Sequence, residues 1–207
     1  MNKLLKKSAN QTVLFGLLCL CTATVSAGEH ILIPKFGMVK IKNNTNHLVD
    51  NNSFDFDDDN EAALGFSYLY QLDNGFSFGA DVFGYEKNII TTANNNGDAT
   101  IAHAYAVAQK FFYTSAPIKP YIGIGIGRAA IQFDANVNGR IADDYSDQAS
   151  GFSYEIYAGF EIEISKRVGM MFEYKHFNID VNDDIGIRDI NFESDGDAIF
   201  LGVSIHI

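Results

Sequence analysis

The stretch Gly151–Ile164, GFSYEIYAGFEIEI, decides how the chain is read. Phe152, Tyr154, Ile156, Ala158, Phe160, Ile162 and Ile164 fall on one side of a two-residue period. Ser153, Glu155, Tyr157, Gly159, Glu161 and Glu163 fall on the other. That period marks a β-strand with two unlike faces. Ser165-Lys166-Arg167 reads as a turn, and Val168–Asn178 alternates again, with Val168, Met170, Phe172, Tyr174 and His176 against Gly169, Met171, Glu173 and Lys175. Two strands of about ten residues joined by a tight turn form a hairpin, with lengths suited to crossing a bilayer as part of a barrel.

Upstream, Lys3, Lys6 and Lys7 precede the short apolar run Val13–Cys21, and Val25-Ser26-Ala27 offers a small-residue cleavage point before Gly28. Residues 1–27 are therefore expected to be a secretory signal peptide, and residues 28–207 one β-barrel domain. Leu20 before Cys21 does not suit a lipoprotein cleavage site. Both cysteines lie within residues 1–27, so the rest of the chain has no disulfides to lean on. It keeps twelve of the 15 basic residues and all 26 acidic ones, a net charge of −14. Such a balance argues against nucleic acid as a partner and provides no polybasic patch. No run of 18 apolar residues is present, and tyrosine, phenylalanine and glycine are abundant.

Eight runs have strand character: 30–41, 61–72, 76–85, 101–113, 120–133, 151–164, 168–178 and 197–207. Pro34 and Gly37 suggest a bulge or an irregular start in the first. Asp73-Asn74-Gly75 is a turn signal. In the fourth run Tyr105, Val107, Phe111 and Tyr113 are assigned outward, and the alanines with Lys110 inward. Polar stretches at 43–60, 86–100, 134–150 and 179–196 read as long loops. Long and short connections alternate strictly, which puts every long loop at one end. The expected fold is all-β: an eight-stranded antiparallel up-and-down transmembrane barrel with short periplasmic turns and long outer loops. A soluble lipocalin-like barrel would carry its apolar face inside. Here charges share a face with glycines, which suits a narrow lumen nearly filled by side chains.

Three stretches carry a family resemblance: Lys119–Gly127 (KPYIGIGIG), Ala158–Ile164 (AGFEIEI) and Met171–Phe177 (MFEYKHF). They resemble the fifth to seventh strands of small outer-membrane barrels, the outer membrane protein A-type transmembrane domain and the opacity-type "porin family" proteins. The resemblance implies outer-membrane localisation, contact with outer-membrane lipid and lipopolysaccharide, insertion by the barrel-assembly machinery, and a monomer. The chain departs from the family in ending on Ile207 rather than an aromatic residue. It also stops at the eighth strand, so no cell-wall anchoring is implied.

Several constellations bear on chemistry. Lys35, Asp81, Lys110, Glu155, Glu161, Glu163, Glu173 and Lys175 are expected to form a lumen charge network, because buried charges must be paired. Asp55, Asp57, Asp58, Asp59 and Glu61 form an acidic surface loop. It departs from a calcium-binding loop, with Asn60 and Phe66 where glycine and glutamate are needed. The five histidines lack metal-ligand spacing, so no metal or cofactor is expected. His176 lies near Glu173 and Asn178. Similarity to eight-stranded outer-membrane enzymes that trim lipid A would imply a serine two residues after the histidine; Asn178 stands there, and no catalytic residue is assigned. Gly123, Gly125 and Gly127 stand inside a strand with no helix following, so they are not a phosphate loop. Two roles remain open: a structural or adhesion-type surface barrel binding a ligand through its long loops, and a narrow channel for ions or small solutes. A lipid-modifying enzyme is the third and weakest reading.

Overall fold

The computed structural model describes residues 28–42, 47–49, 52–56, 59–91, 96–113, 116–137, 140–185 and 188–207. Ten strands follow one another: β1 (Gly28–Lys42), β2 (His47–Val49), β3 (Asn52–Phe56), β4 (Glu61–Leu72), β5 (Phe76–Thr91), β6 (Asn96–Phe111), β7 (Ile118–Val137), β8 (Arg140–Ser165), β9 (Val168–Ile185) and β10 (Arg188–His206). Eight of them form a closed antiparallel barrel, because β1 pairs with both β4 and β10 and β5 pairs with β6. Starting at Tyr85, the paired residues run through Ala63, Gly37, Phe200, Glu173, Gly159, Tyr121 and Phe111. They return to the foot of β5 at Gly75, ten residues below the start. A stagger of this kind requires strands tilted by roughly 35–45°.

The short turns follow local chemistry. Gly75 adopts φ +80°, which favours glycine, and its N–H bonds to the Leu72 carbonyl at 2.8 Å. The Ser165 hydroxyl accepts from the N–H groups of Arg167 and Val168 at 3.3 and 3.1 Å. Pro34 produces no bulge: the register of β1 with β4 runs unbroken through it, with Pro34 opposite Phe66. Its side chain is exposed on the outer face. The register shifts lie elsewhere, at Asp134/Asn136 and Glu163/Ser165.

At the opposite end the expected loops are largely wall. β8 is 26 residues long, about 85 Å of strand, where about 9–11 residues suffice to cross a membrane. β2 pairs with β10 above the end of β1, and β3 pairs with β5 above the end of β4, so the barrel continues upward. Polar side chains do not prevent this, because each ladder satisfies its own backbone groups.

A belt of exposed apolar side chains encircles the lower barrel, including Phe36, Leu64, Phe78, Ile124, Ile156, Leu201 and Val203. Inside and outside alternate along every strand, and β6 has the opposite phase to the one expected. Tyr105, Val107 and Phe111 are buried inside, and Ala102, Ala104, Ala106 and Ala108 face out. The reason is volume: Tyr105 stands opposite Gly127, Val107 opposite Gly125 and Gln109 opposite Gly123, so the large residues of β6 fill the space the β7 glycines leave. Tyr113 is exposed, as expected.

Candidate functional site

Half-way up the membrane belt, five charged side chains meet on the barrel axis. β9 supplies Glu173 and Lys175, β5 supplies Asp81, β8 supplies Glu155 and β1 supplies Lys35. Lys175 Nζ lies 2.5 Å from Asp81 Oδ2, 2.8 Å from Glu155 Oε2 and 3.5 Å from Glu173 Oε1. Lys35 Nζ lies 2.6 Å from Asp81 Oδ1 and 3.0 Å from Glu173 Oε1. β5 and β9 stand four strands apart in a ring of eight, on opposite walls, so the Lys175–Asp81 contact spans the lumen. The Lys175 side chain has 0% exposure.

Neighbours satisfy most of the remaining capacity. The Ser67 hydroxyl donates to Asp81 at 2.5 Å and the Tyr121 hydroxyl to Glu173 Oε2 at 3.2 Å. Lys175 sits 4.9 Å from the Phe83 ring centre and 5.2 Å from that of Tyr157, in cation–π range. The β7 glycines make the room. A Cβ on Gly125 would stand 2.7 Å from Glu155 Cγ, and one on Gly123 would stand 2.2 Å from the Tyr157 ring.

Above the charges comes an aromatic layer in which His103 stacks on Phe83 at 4.3 Å and meets the edge of Phe177 at 4.9 Å. His103 also bonds the Tyr105 hydroxyl at 2.8 Å, which in turn bonds Ser153 at 2.7 Å. Higher still, Ile41, Ile101, Ile131, Ile179 and Val181 are each at most 1% exposed. At the periplasmic mouth, Glu161 bonds Ser204 and His206 at 2.7 Å each, and His206 reaches Glu29 at 3.1 Å. The lumen is closed by charge in the middle and by apolar packing above.

Of the eight residues expected in the lumen network, Lys35, Asp81, Glu155, Glu173 and Lys175 meet. Glu161 is buried in the separate lower cluster. Glu163 is not in the lumen. The register shift beside it turns it to the rim, where it is 40% exposed and pairs with Lys119 at 3.2 Å. Lys110 is not in the lumen either, because β6 faces the other way. Its ammonium donates to the Asn74 carbonyl and lies 4.4 Å from the Phe76 ring centre.

In the acidic segment, Asp59 is exposed and Glu61 pairs with Lys87 at 3.3 Å. The side chain of Asp55, and Asp57 and Asp58 altogether, lie outside the described residues, as does the expected signal peptide. Among the described residues no group of three or more His, Cys, Asp or Glu could hold a metal ion. Lys87 itself was missed by the sequence reading. It is buried, and donates to the Asp59 carbonyl at 2.6 Å. The inward series Phe83, Tyr85, Lys87 could have revealed it.

His176 has a different acidic partner from the one its sequence neighbours suggest. Glu173 points inward, whereas His176 Nδ1 donates across the ladder to Asp197 at 3.0 Å on the outer face. Asp197 also accepts from Tyr174 at 2.8 Å and pairs with Lys42 at 2.6 Å. That hydrogen bond raises the Lys42 ammonium above its ordinary pKa. The cross-strand neighbours of His176 are Ile156 and Asp197, neither of them a serine.

A closed barrel with an apolar belt outside and charges inside is the pattern of an outer-membrane protein. Residues 15–205 match the family described as outer membrane protein beta-barrel domain. The chain belongs to that family. Solved barrels share the fold at low identity. OprG from Pseudomonas aeruginosa is 16% identical, with 87% of this chain and 96% of that one aligned at a TM-score of 0.61. Neisserial surface protein A is 12% identical, with 86% and 96% aligned at 0.54. Ail, the attachment invasion locus protein of Yersinia pestis, is 13% identical, with 88% and 100% aligned at 0.53. No curated protein sequence matches the chain. As a member of the outer membrane protein beta-barrel family, the protein resides in the outer membrane.

Proposed function

We propose that this outer-membrane barrel is closed to diffusion and works as a structural and surface-interaction protein through the wall it raises above the membrane. One observation carries the reading. The Lys175 ammonium, without solvent exposure, binds carboxylates from both walls of the lumen. Opening such a plug would strand buried charges, which typically costs roughly 3–5 kcal/mol.

The extended wall supports the second half of the reading, because long strands standing in water give a broad, rigid surface for contact. Ail, which shares the fold, was solved with a heparin analogue. For this chain the ligand would differ, since fold does not determine function and a net charge of −14 for residues 28–207 disfavours a polyanion. A neutral or cationic surface component of a host or of the envelope suits it better.

The test is planar-bilayer conductance of the refolded barrel, with folding shown by heat-modifiable gel migration. Silence from a folded barrel is the expected result. Discrete currents that change with Lys175→Met would establish the narrow-channel role instead.

A further inference from the structure

The outer face carries a furrow that the closed-barrel reading does not use. Two cross-strand rows of side chains run side by side around β5 to β9. The lower row passes from Phe76 through Lys110 and Ile122 to Tyr174. The upper row passes from Phe78 through Ile124 and Ile156 to His176. Each row is broken by one alanine. Ala158 stands between Ile122 and Tyr174, and Ala108 between Phe78 and Ile124. Large exposed residues on either side of these gaps enclose a furrow of about 570 Å³. Four interstrand spacings make it about 19 Å long, the scale of an extended fatty acyl chain.

The two ends differ in charge. At the upper end His176 and Tyr174 are both committed to Asp197, so an anion would meet a carboxylate there. Towards the lower end, on β6 one strand in from Phe76, stands Lys110, beside the periplasmic turn. Its ammonium donates to one neutral carbonyl and lies against one ring. Among the described residues it pairs with no carboxylate, whereas Lys119 pairs with Glu163 and Lys42 with Asp197. An ammonium with donors to spare, at the foot of an apolar furrow facing lipid, is matched to a phosphate esterified to an acyl-bearing glycerol.

We infer that the furrow is a binding site for one phospholipid of the periplasmic leaflet, its acyl chain lying over Ala108 and Ala158 and its phosphate bound by Lys110. Charge complementarity favours this occupant over a second copy of the chain, whose own outer face presents the same apolar belt and the same lysine.

The test is native mass spectrometry of the folded barrel released from detergent after titration with phosphatidylglycerol or with diacylglycerol, which lacks the phosphate. The wild type should retain one phosphatidylglycerol and bind diacylglycerol about tenfold more weakly, the worth of one charged hydrogen bond. Lys110→Gln should bring phosphatidylglycerol down to the diacylglycerol level, and Lys110→Arg should retain it. Ala158→Phe, which fills the furrow, should abolish retention of both. Heat-modifiable migration reports whether each variant is folded. Equal retention of the two lipids, or retention unchanged by Ala158→Phe, would overturn the inference. So would a dimer mass that disappears in Ala158→Phe while lipid retention persists.

Discussion

The lower and upper halves of the barrel carry opposite outer faces, and only the lower one holds a charged cluster on its axis. On β7, Ile122, Ile124 and Ile126 face outward and glycines face inward. A few residues higher on the same strand, Arg128 and Gln132 face outward while Ala129 and Ile131 are buried inside. β9 repeats the inversion: Lys175 is inside at the level of the charges, and Asp180 is outside with Ile179 and Val181 inside above them. Backbone pairing continues unchanged through the crossover. The solvent outside the wall changes from lipid to water, and the polarity of the outer face changes with it. Below, behind an apolar outer belt, the interior holds the charged cluster together with apolar side chains such as Ile33, Leu69 and Phe111. Above, the barrel has the apolar core of a soluble domain.

The strongest challenge to this contrast is at the plug. Lys175→Met leaves Asp81, Glu155 and Glu173 short of their shared cation and should destabilise the barrel by about 3–5 kcal/mol, read from urea unfolding in lipid vesicles. A loss below about 1 kcal/mol would mean that solvent reaches the lower lumen.

Next is a paired substitution along β7. Ile124→Lys places a charge on the lipid face near mid-depth and should cost about 2–4 kcal/mol. Gln132→Lys, on the same face above the belt, should stay within about 0.5 kcal/mol. Equal effects would misplace the membrane boundary.

The upper core should answer to packing rather than charge. Ile179→Val should cost about 0.5–1.5 kcal/mol in the same assay, as in a soluble core. The smallest expected change is at its outward neighbour, where Asp180→Asn should remain within about 0.5 kcal/mol. If Asp180→Asn cost more than Ile179→Val, the upper wall would not be a water-facing shell around an apolar core.

The β8–β9 hairpin could be read from sequence because its two faces differ in kind, aromatic and aliphatic against Glu155, Glu161, Glu173 and Lys175. β6 was harder. Alanine suits either face, and only the glycines opposite Tyr105, Val107 and Gln109 show which side needs volume. The polar segments were read as loops because acidic and amide residues resemble turn material. In 179–181, Ile-Asp-Val, the alternation is present but is the reverse of that in the membrane. Glu163 continued the period of its strand on paper, and the register shift beside it could not be seen there.

The plug was partly legible: inward charges on separate strands had to find partners, and five of the eight named residues do meet. The sequence could not say which carboxylate each lysine takes. Asp81 and Lys175 are 94 residues apart and meet only because eight strands close with a fixed stagger.

By itself, the sequence determined the eight strands that close the barrel, the alternation of the two faces and the membrane-facing sign of most strands, since all three are written in a local period of two. Tertiary structure alone decided the phase of β6, the height of the wall and the pairing across the lumen. Those depend on ring closure, which sets residues from opposite walls against one another and makes the volume and charge at one position conditional on a strand far away in the chain.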